Sequence, residues 1–244
     1  MAYKAVITYA ALTVVIPVNA VAHWGILSSC PTPCDEPRGL LYGGYLVGDG
    51  ATPYVYSLSL VTGSVFSSFP APGGAGTWGI ASAGEEYEFH ISNYWTSWIY
   101  RINTTGSVLS SFVCPLPGPA GMCPRWPNQL EIAIPDKNII AVVNTLSGSL
   151  VSTIPGPGLK PTACSSWWAD FITDAGTHAV YLNGRLIIEN IEFPTGISET
   201  EQHPQDTEGQ KLYVVDAATK QIYDIRDNIS VAPASFGRAK ALFR

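Results

Sequence analysis

Thr105-Gly106-Ser107-Val108-Leu109-Ser110-Ser111-Phe112 has two counterparts in the chain, Thr62-Gly63-Ser64-Val65-Phe66-Ser67-Ser68-Phe69 and Ser147-Gly148-Ser149-Leu150-Val151-Ser152-Thr153-Ile154. Each couples a glycine-bearing turn to a short apolar run, the pattern of a hairpin turn that feeds a β-strand. Around these octets a longer pattern repeats. An apolar strand ends in Asp or Asn and a tyrosine follows seven residues later, at Asp49 and Tyr56, Asn93 and Tyr100, Asp174 and Tyr181, and Asp216 and Tyr223. A fifth copy fits at Asp136 with Val143 in the tyrosine's place, which spaces the anchors by 44, 43, 38 and 42 residues. Every copy closes in a proline-containing loop (Pro70, Pro115, Pro155, Pro194, Pro233), where a residue without an N–H is tolerated between strands.

Four strands in about 42 residues is the length of a propeller blade. A stacked solenoid of the same repeats would need distinct capping units, and none is evident. Closing the repeats into a ring removes the sheet edges that would otherwise stand open. The sequence therefore predicts an all-β chain, a five-bladed β-propeller of four-stranded antiparallel blades over about 39–234, with six blades open if both ends combine. Either 23–29 or 235–244 is placed to supply a strand that closes the ring across the termini.

The run Trp98-Ile99-Tyr100-Arg101-Ile102-Asn103 through Phe112, and again Lys211-Leu212-Tyr213-Val214-Val215-Asp216 through Ile225, resembles the repeat of secreted prokaryotic β-propellers of the YVTN/NHL-like kind. The resemblance covers most of 39–230 and implies an architecture. Members of that broad group include binding modules, scaffolds, lyases and other enzymes, so it implies no single activity.

Residues 1–22 have a charged start, an apolar run over 5–18 and small residues at Ala20-Val21-Ala22, the three parts of a signal peptide. Cleavage after Ala22 is expected, leaving an N-terminal segment 23–38 and a propeller domain 39–244. Two alternatives stand beside it: lipidation at Cys30, which follows Leu27-Ser28-Ser29, and an uncleaved anchor. The expected location is extracellular or periplasmic. With 46% hydrophobic and 13% charged residues, 23 Gly and 19 Pro, the chain suits many short strands joined by tight turns. Net charge is −6 and the Lys and Arg residues form no cluster, so nucleic acid is not an expected partner.

Five cysteines, Cys30, Cys34, Cys114, Cys123 and Cys164, lack the paired short spacing of a zinc site. An exported chain favours disulfides, and the Pro- and Gly-rich loop between Cys114 and Cys123 predicts a bond across it. The Asp and Asn anchors read as turn caps. Trp78, Trp126 and the pair Trp167-Trp168 are read at matching points before inner strands, either packed between blades or offered to a sugar or other planar ligand.

In Glu86-Tyr87-Glu88-Phe89-His90-Ile91, alternation puts Glu86, Glu88 and His90 on one side, and His90 stands where other copies carry Leu46, Ala133, Phe171 and Tyr213. These three are candidates for metal binding or proton transfer, against the plainer reading of a structural polar cluster. Glu201, Asp206 and Glu208 lie in an acidic connection that could hold Ca²⁺, although it lacks EF-hand spacing, and no other cofactor is expected. There is no phosphate-binding glycine loop, nucleophile elbow or His-Glu-x-x-His motif. The leading expectation is an extracellular binding or scaffold protein for a carbohydrate, peptide or protein. The alternatives are a lyase, hydrolase or cyclotransferase working through carboxylates and His, and a subunit of a surface assembly that exchanges terminal strands.

Overall fold

The computed structural model describes residues 23–228 except 42–44, 85–86, 126, 166–169 and 200–210. The signal segment, Glu86, Trp126, Trp167, Trp168, Glu201, Asp206 and Glu208 lie outside the described residues. The chain opens with β1 (His23–Pro31) and then builds blade 1 from β2 (Pro37–Leu41), β3 (Leu46–Asp49), β4 (Tyr54–Leu58) and β5 (Val65–Pro70). Blade 2 is β6 (Thr77–Ser82), β7 (Glu88–Asn93), β8 (Trp98–Asn103) and β9 (Val108–Val113). Blade 3 is β10 (Met122–Arg125), β11 (Gln129–Ile134), β12 (Ile139–Asn144) and β13 (Leu150–Pro155), with one 3-10 turn at Pro135–Lys137. Blade 4 is β14 (Pro161–Ser165), β15 (Phe171–Asp174), β16 (Ala179–Leu182) and β17 (Arg185–Glu189). The last three strands are β18 (Pro194–Glu199), β19 (Lys211–Asp216) and β20 (Gln221–Asn228).

The fold is a five-bladed β-propeller of four-stranded antiparallel sheets. Blade 5 is completed from the other end of the chain: β1 lies outside β20, from His23 opposite Asn228 to Pro31 opposite Gln221. Of the two segments placed to close the ring, the N-terminal one does so, and the six-bladed alternative is excluded. β1 and the start of β2 fall within 23–38, so these residues are part of the ring.

The capping role of the anchors is visible in their bonds. Asp49 accepts from the N–H groups of Asp35 and Glu36 ahead of β2 and from Ala51 in the following turn. Asp216 does the same with Glu192, Phe193 and Ala218, and Asp174 with Lys160 and Thr177. Each buried carboxylate thus ties the second-to-third-strand turn to the loop that starts its own blade. Blade 3 departs from the expected repeat. In the other four blades the tyrosine faces the residue two before the anchor (Val47, Ile91, Ile172, Val214), whereas Val143 faces Leu130, six before Asp136. The 3-10 turn lengthens this hairpin tip, and Asp136 sits exposed within it.

The inner strands meet through small residues. A Cβ on Gly39 would lie 2.6 Å from Ile80 N, one on Gly79 2.2 Å from Ala120 O, and one on Gly121 2.3 Å from Ala163 Cβ. A Cβ on Gly196 would lie 2.5 Å from Arg38 O, and the joint between blades 4 and 5 is held by the Thr162 hydroxyl donating to Pro194 O at 2.5 Å. The Thr195 hydroxyl donates in the same way to Pro37 O at 2.8 Å, from blade 5 to blade 1. Thr195→Val keeps the shape but leaves a buried carbonyl without its donor, so it should lower unfolding free energy by about 1–2 kcal/mol in denaturant titration. Thr219→Val, at an exposed hydroxyl, should change it by under about 0.5 kcal/mol.

Candidate functional site

Near the starts of inner strands β2, β6 and β18, an arginine and several aromatic side chains pack on one another. The Arg38 guanidinium lies 4.1 Å from the Trp78 ring centroid and 5.3 Å from that of Phe193. Trp78 stacks on Tyr94 with centroids 3.9 Å apart, and the Tyr94 hydroxyl donates to Asp136 Oδ2 at 2.8 Å. Burial, reinforced by that carboxylate, pushes the Tyr94 phenol up to about 12. Trp78 is only 9% exposed and belongs to a core cluster with Ala120, Cys123 and Ile140.

Of its two readings, packing is the one this burial fits: the indole is covered by Arg38 of blade 1, Tyr94 of its own blade and the blade 3 cluster. The matching positions expected of the tryptophans are not what strand order gives. Trp78 is the second residue of β6, while Trp126 follows the end of β10 and Trp167-Trp168 follow the end of β14. Trp95, edge-on to Trp78 with centroids 6.3 Å apart, is exposed at 68%.

The predicted Cys114–Cys123 disulfide is absent, and all five cysteines are buried thiols. Successive side chains of a strand point to opposite faces. Met122 joins the cluster that holds Cys114, Ile99 and Ile132, which turns Cys123 to the other side of β10 and away from Cys114. There its Sγ lies 3.1 Å from Cys164 Sγ.

An open cleft of about 220 Å³ lies between blades 2 and 3, at the end of the ring where the inner strands finish. His90 lines it, as do Arg101, Ser110, Arg125, Asn128 and Thr145, and none of the described lining residues is acidic. β7 and β8 set His90 directly opposite Arg101 in register, so both side chains rise from the same face of blade 2. Glu88, two residues from His90 on that face, accepts from Arg101 Nε and Nη2 on a single oxygen at 2.5 Å. Across the cleft, Arg125 Nη1 donates to Glu131 Oε1 at 2.8 Å. Burial pushes the Glu131 carboxyl up, with the Arg125 guanidinium opposing. Each carboxylate fixes one guanidinium, and neither Glu88 nor Glu131 lines the cleft.

His90 is 6% exposed and bonds the Ser82 backbone carbonyl, while its Nδ1 has no protein partner. Burial, helped by the Arg101 charge, lowers its pKa to about 4, so the ring is neutral at physiological pH. With its N–H given to the carbonyl, Nδ1 is an acceptor. The expected group Glu88–His90 is thus brought together, but as a carboxylate that holds an arginine beside a neutral imidazole. Arg101 and Arg125 were not singled out from sequence, although the repeat offers a signal for Arg101: the tyrosine at anchor plus seven faces anchor minus two, so anchor plus eight faces anchor minus three. Among the described residues no group of three or more His, Cys, Asp or Glu is placed to hold a metal ion.

No family model matches the chain, and no curated protein does. Among solved structures it is similar to the glutaminyl cyclase of Myxococcus xanthus, with 13% identity and a TM-score of 0.65 over 84% of this chain and 96% of that one. It is also similar to a catalytically inactive virginiamycin B lyase from Staphylococcus aureus with quinupristin, at 16% identity and a TM-score of 0.48, over 78% of this chain and 66% of that one. A third similarity, to hydrazine synthase of Kuenenia stuttgartiensis, has 10% identity and a TM-score of 0.47 over 80% and 67% of the two chains. The likeness to the cyclase, at 13% identity, shows a shared fold and no more.

Proposed function

We propose that this chain is a binding propeller that holds a small oxyanion-bearing ligand, of the size of a sugar acid, in the cleft between blades 2 and 3. The observation that carries the reading is the convergence of Arg101 and Arg125 from adjacent blades, each oriented from behind by its own glutamate. Guanidiniums so fixed lose little freedom when they meet a carboxylate, which is the geometry that makes arginine an oxyanion ligand. Hydroxyl and amide groups at Ser110, Asn128 and Thr145 suit a hydroxyl-bearing molecule. A cleft of about 220 Å³ fits a small ligand better than a drug-sized one.

The enzyme reading gains less support from this site. A base that works near pH 7 needs a pKa near 7, and His90, at about 4, is too weak to withdraw a proton efficiently. Glu88 and Glu131 are engaged with arginines.

Titration with glucuronate, followed by calorimetry, tests the proposal. Arg101→Gln should weaken binding about tenfold or more, the loss expected for a hydrogen bond to a charged group. Because Arg125→Gln alone would strand the buried Glu131, it is best combined with Glu131→Gln, and that pair should weaken binding to a similar degree. Unchanged affinity in both variants would sink the reading.

A further inference from the structure

Neither Cys123 nor Cys164 lines the cleft; they lie in the buried cluster behind Trp78, where Cys123 Sγ donates to Glu131 Oε2 at 3.8 Å. We infer that they are the two halves of an inter-blade disulfide, a covalent modification site between blades 3 and 4. Cys123 is in β10 and Cys164 in β14, neighbouring inner strands of adjacent blades. Their sulfurs lie 3.1 Å apart, and each residue is 3% exposed.

The backbones that carry them are fixed relative to each other. Gly121 N donates to Thr162 O at 2.8 Å, two residues before each cysteine, and a Cβ on Gly121 would meet Ala163 at 2.3 Å. Cys164 Sγ is further held against Glu131 O at 3.4 Å and Gly121 O at 3.9 Å. A disulfide is about 2.05 Å long, so the sulfurs need to approach by about 1 Å, within the reach of small side-chain rotations. Cys114 faces another cluster and does not compete for either sulfur.

The chemistry is a two-electron exchange with a small-molecule disulfide such as oxidised glutathione. The thiolate of one cysteine attacks that disulfide, forming a mixed disulfide and expelling one glutathione thiolate. The second cysteine's thiolate attacks the protein sulfur of the mixed disulfide, forming the Cys123–Cys164 bond and expelling the second. The two protein thiols are oxidised, the glutathione disulfide is reduced to two thiols, and these take up the two protons released. With both sulfurs buried, exchange takes place while blades 3 and 4 are still docking during folding, and the closed ring then shields the bond.

The test uses the full chain, refolded from the reduced state in a buffer of oxidised and reduced glutathione, blocked with iodoacetamide and digested without reductant. The expected result is a peptide pair joined at Cys123 and Cys164, two hydrogens lighter than the sum of its parts. The oxidised ring should melt about 10 °C above the same protein after reduction, as closure of a loop of this length predicts. That difference should vanish in Cys164→Ala and, should that variant fold poorly, in Cys123→Ser. Iodoacetamide label on both cysteines of the refolded protein, or either one bonded to another cysteine, overturns the inference.

Discussion

Gly79→Val is expected to prevent the ring from closing, with a loss of more than about 3 kcal/mol of folding free energy or no folded protein at all. The reason is geometric. The first atom of any side chain at position 79 would stand 2.2 Å from the backbone oxygen of Ala120 and 3.0 Å from the Cα of Gly121. Overpacking a core usually costs about 1–3 kcal/mol because side chains yield, but backbone at a joint between two blades cannot yield without shifting a whole sheet. Gly184→Ala is the control: its Cβ meets nothing within 4 Å, and only its φ of +76° opposes the change. That substitution should cost about 1–2 kcal/mol. Denaturant titrations of the two variants separate a steric ring from a conformational preference, and equal losses at both positions would contradict the ring of close contacts.

Acid should expose the second large effect. The pKa of His90 falls from 6.5 in the unfolded chain to about 4 in the fold, because burial removes water from the ring and the Arg101 guanidinium repels its proton. The Ser82 carbonyl and the Glu88 carboxylate act in the opposite sense, and Arg125 lines the same cleft from blade 3. Between these two pKa values the unfolded state binds more protons, so stability present above about pH 6.5 is lost as pH falls through 4. A gap of this size corresponds to about 3 kcal/mol. Unfolding free energies measured from pH 7 to pH 4 should therefore drop about 3 kcal/mol further in the native sequence than in His90→Gln, which cannot take up the proton. Parallel curves for the two proteins would rule out a buried neutral His90.

The blades were legible because their repeat is written in residues whose roles are local. An Asp or Asn that caps a turn and a tyrosine on the next strand are set by hairpin geometry, which sequence spacing records. The ring contacts were equally readable in principle: Gly39, Gly79, Gly121, Ala163 and Gly196 recur at spacings of 40, 42, 42 and 33. Blade 3 misled because its 3-10 turn adds length at the hairpin tip, so an aspartate at nearly the right spacing is out of register with its counterparts. Trp78 and Trp126 looked equivalent for a similar reason, since a strand's first residues and those just past its end are only a few positions apart in sequence.

The cleft was half visible. His90 and Glu88 were marked by breaking the apolar pattern, but Arg125 comes from another blade, and no spacing within one repeat brings it to them. Cys164 became the neighbour of Cys123 for the same reason. Their meeting depends on how two sheets dock, whereas the loop joining Cys114 and Cys123 was only the shortest path along the chain.

The oxyanion claim is tested most directly by titrating the protein with one sugar in two forms, glucuronate and its uncharged amide, at low and at high salt. The two ligands match in size and hydroxyl pattern and differ in the charge that Arg101 and Arg125 would meet. The account predicts that glucuronate binds at least about tenfold more tightly than the amide, and that added salt narrows the gap by screening the partly exposed guanidiniums. Equal affinity for the two forms, or binding of neither, would contradict it.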